Sequence, residues 1–199
     1  MNRSLPDLEK TMAVFPASGD SGKVQRTFRL KKNTLSELDR IAKEMNVPVN
    51  QLADDCIIDG LIHIVLKRDV HAITIGREDM MSILEQIESI EKIKELGEKL
   101  GRSVPKRLYA LHNVEPSWKA VLSALDQVHG KACGWFVFKH YSQYDDRADK
   151  EIHRLIFTHD GGVKWTVFVE GYLTGMIRTL LKTEPKIGTV TDKMLELTA

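Results

Sequence analysis

The chain has 199 residues with 29 Lys and Arg against 28 Asp and Glu; a net charge of +1 excludes a polycation, so any affinity for nucleic acid must come from a local patch. Two cysteines, Cys56 and Cys133, lack paired metal-ligand spacing, which excludes a disulfide framework and points to a reducing, cytoplasmic setting. No run is long and apolar enough to span a bilayer and no signal-peptide pattern is present, so no membrane partner is expected; the length allows one or two domains.

Residues 1–22 contain Pro6, Pro16, Ser18, Gly19, Ser21 and Gly22 with little periodicity, and read as a flexible arm. Arg3 and Lys10 are offset there by Asp7 and Glu9. From Val24 to Leu30 the side chains alternate as in a strand, with Gln25, Thr27 and Arg29 on one face and Phe28 and Leu30 on the other. From Lys23 to Lys32 the chain carries Lys23, Arg26, Arg29, Lys31 and Lys32 and no acid. A polar, cationic strand face suits the floor of a DNA major groove, which admits a two-stranded ribbon. Arg29 is suited to a bidentate contact with guanine and Gln25 to adenine, while Lys31 and Lys32 would hold phosphates.

Thr34 and Glu37 have the spacing of a capping box, which predicts a helix from about Thr34. Leu35, Leu38, Ile41, Ala42 and Met45 then share one face. Asn46 suits the left-handed end of that helix, and Pro48 the first position of the next. The second helix is expected to bury Val49, Leu52, Ala53, Cys56, Ile57, Gly60 and Leu61 and to run through Ile64. A unit this small cannot bury an adequate core alone, and a lone strand leaves its backbone groups unpaired. Two copies pairing their strands antiparallel about a twofold axis would remove both deficits.

This pattern, alternating strand, then L-K-K-N-T-L-S-E-L-D-R-I-A, then N-V-P-V-N-Q-L, resembles the ribbon-helix-helix family of DNA-binding proteins of the Arc repressor type, over residues 23–67. The resemblance implies a homodimer on double-stranded DNA, with Gln25, Thr27 and Arg29 touching base edges. It also implies phosphate contacts from the backbone at Val49 and Asn50, with Lys23, Lys31 and Lys32 beside them. Where the family commonly has Gly and then Ser or Thr, this chain has Asn46 and Pro48. The proline removes one N–H donor and any hydroxyl cap, so the phosphate clamp is expected to be weaker or shifted.

Residues 68–102 read as a connecting segment: a short strand at Ala72–Ile75, a helix from Glu78 carrying Met80, Ile83, Leu84, Ile87 and Ile90, and a charged helix, Glu91–Lys99, interrupted by Gly97. Residues 103–199 read as a separate domain. Strands are predicted at Lys106–Leu111, Trp135–Tyr141, Glu151–Thr158 and Thr189–Leu197, with helices at Pro116–His129 and Gly162–Lys182. The order β-α-β-β-α-β is that of a ferredoxin-like sandwich, which makes the whole chain α+β. The segment THDGGVKW, with His159, Asp160, Gly161, Gly162, Lys164 and Trp165, is similar to one in archaeal ribbon-helix-helix regulators with a longer C-terminal domain. That similarity favours a regulator and names no ligand.

Seven histidines invite a metal hypothesis. A hairpin closing around Asp146 and Arg147 would set His140 opposite His153, but His159 would lie roughly 20 Å along the strand. Three ligands do not converge, so no metal is expected and the histidines are read as hydrogen-bonding groups at strand ends; His63 and His71 are no better placed. Asp160-Gly161-Gly162 is read as a strand-to-helix turn in preference to a phosphate site. No catalytic or nucleotide-binding motif is present, so neither enzyme activity nor a cofactor is expected. Trp135, Phe136, Phe138, Phe157, Trp165, Phe168 and Tyr172 are read as core in preference to a ligand cleft. The C-terminal domain is thus expected to be an effector or oligomerisation module with its effector unassigned. The alternative is an antitoxin or scaffold that uses the N-terminal module mainly to dimerise.

Overall fold

A computed structural model describes residues 27–111, 114–146 and 149–199, and shows a mixed helical and antiparallel-sheet, α+β, architecture. Helices α1 (Lys32–Met45), α2 (Val49–Val70), α3 (Arg77–Glu85) and α4 (Ile90–Leu111) come first. A short α5 (Trp118–Ser123) continues as a π-helical segment, Ala124–Ala132, and is followed by β1 (Val137–Asp145) and β2 (Lys150–Thr158). Helix α6 (Gly162–Leu181) leads to β3 (Lys186–Val190) and β4 (Met194–Thr198). The four strands form one antiparallel sheet in the order β1-β2-β4-β3.

Helix α1 begins two residues before the expected cap. Lys31 is the extended residue ahead of it, no side chain caps it, and Glu37 pairs with Arg40 instead of reaching back. The T-x-x-E capping box therefore does not form, because Thr34 already lies within the first turn. Asn46 ends α1 in the left-handed conformation, φ 54° and ψ 44°, as its short amide side chain permits. Pro48 stands just outside α2 rather than at its first position.

The strand expected at Ala72–Ile75 has no ladder partner and is not a strand. Residues 106–111, also read as a strand, are the last turns of α4, which runs unbroken through Gly97, Gly101 and Pro105 and across the boundary expected at residues 102 and 103. Its buried stripe recurs every fourth residue: Ile93, Gly97, Gly101, Pro105 and Tyr109. The ferredoxin-like order fails for the same reason, since its first strand is helical here. The single last strand is instead the hairpin β3–β4, turned where Thr191 N–H donates to the Met194 carbonyl (2.8 Å) and Lys193 N–H to Thr191 Oγ1 (3.1 Å).

Helices α4 and α6 meet backbone to backbone. A Cβ at Gly97 would come within 2.2 Å of the Phe168 carbonyl oxygen, and one at Gly101 within 1.9 Å of that of Tyr172. From the other side, a Cβ at Gly171 would lie 2.2 Å from the Lys94 carbonyl oxygen and one at Gly175 2.4 Å from that of Glu98. Two facing G-x-x-x-G patterns thus allow an approach closer than side chains permit. The seam is flanked by Lys94 with the buried Glu170 and by Arg178 with Glu98 (2.8 Å). Phe168, Val169, Leu173, Met176 and Ile177 of α6 join Leu155, Phe157, Leu195 and Leu197 of the sheet in one core. The predicted aromatic set belongs to that core: Phe136, Phe157, Trp165, Phe168 and Tyr172 are buried, with Trp135 and Phe138 packed against them.

Candidate functional site

Of the residues expected to meet DNA, Lys23 and Gln25 lie outside the described residues. Thr27 and Arg29 are exposed, and residues 27–30 form no strand within one chain. Phe28 and Leu30 are 68% and 52% exposed. A strand needs a neighbour for its N–H and C=O groups, and none is supplied here by the described residues. Lys31 immediately precedes α1, and Lys32 is its first residue. Val49 and Asn50 open α2, whose first turn carries no acid. Two α1 carboxylates, Glu37 and Glu44, are both taken up by Arg40, whose guanidinium they hold more firmly charged than usual.

The faces expected to be buried in this module are buried only in part. Ala42 and Leu52 are buried where α1 packs on α2, and Leu38 and Ile41 are half-buried. Leu35, Met45, Cys56, Ile57, Leu61 and Ile64 remain exposed. On the opposite side of α2, Ile62 is buried and Leu66 half-buried towards the rest of the molecule. Helix α2 is therefore apolar on two sides, only one of which is covered.

The histidines fall into three separate places. The β1–β2 register sets Ser142 opposite His153 and Leu155 opposite His140, so the expected direct pairing is displaced along the hairpin. The two rings still meet diagonally, His140 Nε2 lying 3.0 Å from His153 Nδ1, with Trp118 stacked on His153 at 4.0 Å. His159 stands apart: its Nδ1 accepts from Gly161 N–H (3.2 Å), which leaves Nε2–H to donate to Thr166 Oγ1 (3.2 Å). His129 is the reverse tautomer, with Nδ1–H donating to the Ala124 carbonyl (3.1 Å) and Nε2 accepting from Tyr172 O–H (2.9 Å). Among the described residues no three His, Cys, Asp or Glu side chains converge to hold a metal. His71 is the left-handed residue that ends α2, φ 53°, and His63 is exposed.

Burial holds His129, His140, His153 and His159 below the ordinary value of 6.5. The unfolded chain then binds protons first as pH falls, so these groups favour the fold fully above about pH 6.5 and progressively less below it. The carboxylates held low by arginine, Glu184 and Glu196, lose their contribution only below 4.5. A melting temperature that drops between about pH 7.5 and pH 5.5, and drops less in His153→Gln, is the expected result; scanning calorimetry across that range checks it.

Asp160-Gly161-Gly162 is a turn, with Gly162 at φ 75° and the indole of Trp165 folded over Gly161. Asp160 is held by Arg77, which also donates to the Gly134 carbonyl (3.0 Å), and Lys164 pairs with Glu85 (3.0 Å). The charged residues of T-H-D-G-G-V-K-W thus latch α3 onto the start of α6.

Sequence reasoning missed a crevice among α2, α4, the π-helical segment and α6, walled by Ile62, Leu66, Pro105, Tyr109, His129 and Tyr172 among others. Tyr109 is 8% exposed, and its hydroxyl has no hydrogen-bond partner among the described residues. A helical reading of residues 106–111 would have placed Pro105 and Tyr109 on one face with the glycines.

No family model and no curated protein matches the chain. Among solved structures, an H-NOX protein from S. oneidensis in its Fe(II)NO ligation state is similar at 10% identity over 96% of this chain and 87% of that one, with a TM-score of 0.22. A likeness this loose carries no argument. No helix among the described residues is long and apolar enough to cross a membrane.

Proposed function

We propose that the chain is a sequence-specific, DNA-binding transcriptional regulator that acts as a homodimer through an N-terminal ribbon-helix-helix module. The observation that carries the reading is the exposed segment 27–31, with Arg29 and Lys31, running straight into two helices whose outer apolar faces are left exposed by the described residues. A second copy would pair that segment into a ribbon and cover Leu35, Ile57, Leu61 and Ile64. Gln25, Thr27 and Arg29 then face the major groove. Lys31, Lys32 and the acid-free first turn of α2 contact phosphates. The folded C-terminal body, with its continuous core, argues against an antitoxin segment that becomes ordered only on a partner.

Selection of bound sequences from random DNA, followed by titration of the chosen operator, tests this reading. Arg29→Ala should cost about 1–3 kcal/mol and relax preference at one base pair. Lys32→Ala should weaken all sequences alike and lower the slope of log K against log salt by about one. Equal operator affinity for the native chain and a Gln25→Ala, Arg29→Ala double variant would sink the assignment.

A further inference from the structure

We infer that the crevice among α2, α4, the π-helical segment and α6 is a binding site for a small, uncharged, largely apolar molecule bearing one hydroxyl or carbonyl oxygen, and that its occupancy is transmitted to the DNA-binding module through α2. The regulatory half rests on the DNA-binding reading; the binding half does not.

Four observations converge on it. The crevice has room for about one water molecule, within about 480 Å³ of interatomic space that includes open solvent. Its walls are apolar, with Ile62 and Leu66 from α2 facing Pro105 from α4 and Met176 from α6. Such a lining favours apolar ligands whose orientation a few polar atoms fix. The third observation is Tyr109, a residue of this wall whose buried hydroxyl has no hydrogen-bond partner among the described residues. A buried polar group without a hydrogen bond is costly, and a ligand oxygen would supply the missing bond. Finally, the other polar groups on the wall are satisfied and neutral: Tyr172 donates to His129, and His129 donates to the Ala124 carbonyl. No Asp, Glu, Lys or Arg lines the wall, and burial disfavours charge on His129 and Tyr109, holding His129 below the ordinary 6.5 and pushing Tyr109 up to about 12. The π-helical geometry that turns His129 inward is of a kind frequently found at functional sites.

Transmission follows from who owns the wall. Ile62 and Leu66 lie on the covered side of α2, while Ile57, Leu61 and Ile64 lie on the side proposed to meet the second copy. A molecule larger than a water must widen the crevice, and α2 forms one of its walls. A ligand shifts an equilibrium only as far as it prefers one state, and the preferred state here is the one with α2 displaced.

The probes are 4-methylphenol and toluene, which differ by one hydroxyl, added to the full-length chain in thermal-shift titrations. The expected result is saturable stabilisation by 4-methylphenol at about fivefold to tenfold lower concentration than by toluene. Tyr109→Phe should level the two, and Leu66→Trp, which fills the crevice, should abolish both. Should Leu66→Trp fail to fold, Tyr109→Phe still decides, because the hydroxyl it removes has no bond to lose. No saturable shift with either probe, or an undiminished preference in Tyr109→Phe, overturns the site. Saturating 4-methylphenol should also change operator affinity in the native chain. Probe binding with operator affinity unchanged overturns the regulatory half. Probe binding by a chain that selects no DNA sinks the DNA-binding reading, and with it that half, while the site stands.

Discussion

Gly101→Ala is expected to destabilise the protein by about 3 kcal/mol, and Gly101→Val to prevent folding. Two effects oppose each other. Alanine is a better helix former than glycine by about 1 kcal/mol, which favours the substitution in the middle of α4. The new Cβ, however, would stand 1.9 Å from the Tyr172 carbonyl oxygen, with the Tyr172 carbonyl carbon and Cα also inside 3.0 Å. That atom is backbone within a helix buried along most of its length, so it cannot turn aside. The helices must separate, and the contacts at Gly97, Gly171 and Gly175 open with them. Overpacking outweighs propensity. Gly60 supplies the contrast, since a Cβ there meets nothing within 4 Å among the described residues, and Gly60→Ala should stay within about 1 kcal/mol of the native value. Urea titrations of both variants decide: a Gly101→Ala midpoint equal to the native one would mean that the two backbones are not in contact.

The second large effect is on assembly. Replacing both Ile57 and Leu61 by glutamate should leave a folded chain that no longer self-associates or binds its operator. The two side chains are 48% and 50% exposed within one chain, so little intramolecular packing is lost and the C-terminal core is untouched. If a second copy covers them, each is worth about 1.5–3 kcal/mol on burial. Every dimer loses four such side chains and gains four carboxylates at a desolvated face. Self-association should weaken by at least about a thousandfold. Sedimentation equilibrium beside a thermal melt separates the outcomes. A cooperative melt with monomeric mass is expected, whereas a variant that is still dimeric would place the interface elsewhere.

What could be read from the sequence, and what could not, follows the kind of signal each element emits. Helix α6 and the β1–β2 hairpin stand within one or two residues of their predicted bounds at most of their ends, because large apolar residues at regular spacing mark them. Helix α4 was obscured because three of its five buried stripe positions are Gly97, Gly101 and Pro105, which carry no hydrophobic signal and count as breaks in a pattern search. Those glycines are contacts, and only the facing helix reveals it. The β3–β4 turn at residues 191–193 contains no Gly or Pro, so one strand was read where two exist. The meeting of His140 and His153 was legible in kind but not in register, since a turn of unknown length sets the pairing. Of the proposed DNA-facing residues, Arg29 was legible as chemistry, but the described residues around it, 27–30, form no strand. The crevice left no trace in the sequence, because Ile62, Tyr109 and His129 come from three elements and meet only in the folded protein.

The seam between α4 and α6 has a mechanical consequence. Ordinary cores absorb strain by changing rotamers, but a contact made by four glycines has no rotamers to change. The pair is a rigid bar: it can slide or come apart, but it does not yield by degrees. Pro105 and Tyr109 extend from that bar into the crevice, and Met176 faces them from its other half. Whatever swells the crevice therefore pushes against an unyielding back wall. The compliance is one-sided: it lies with α2 and the π-helical segment.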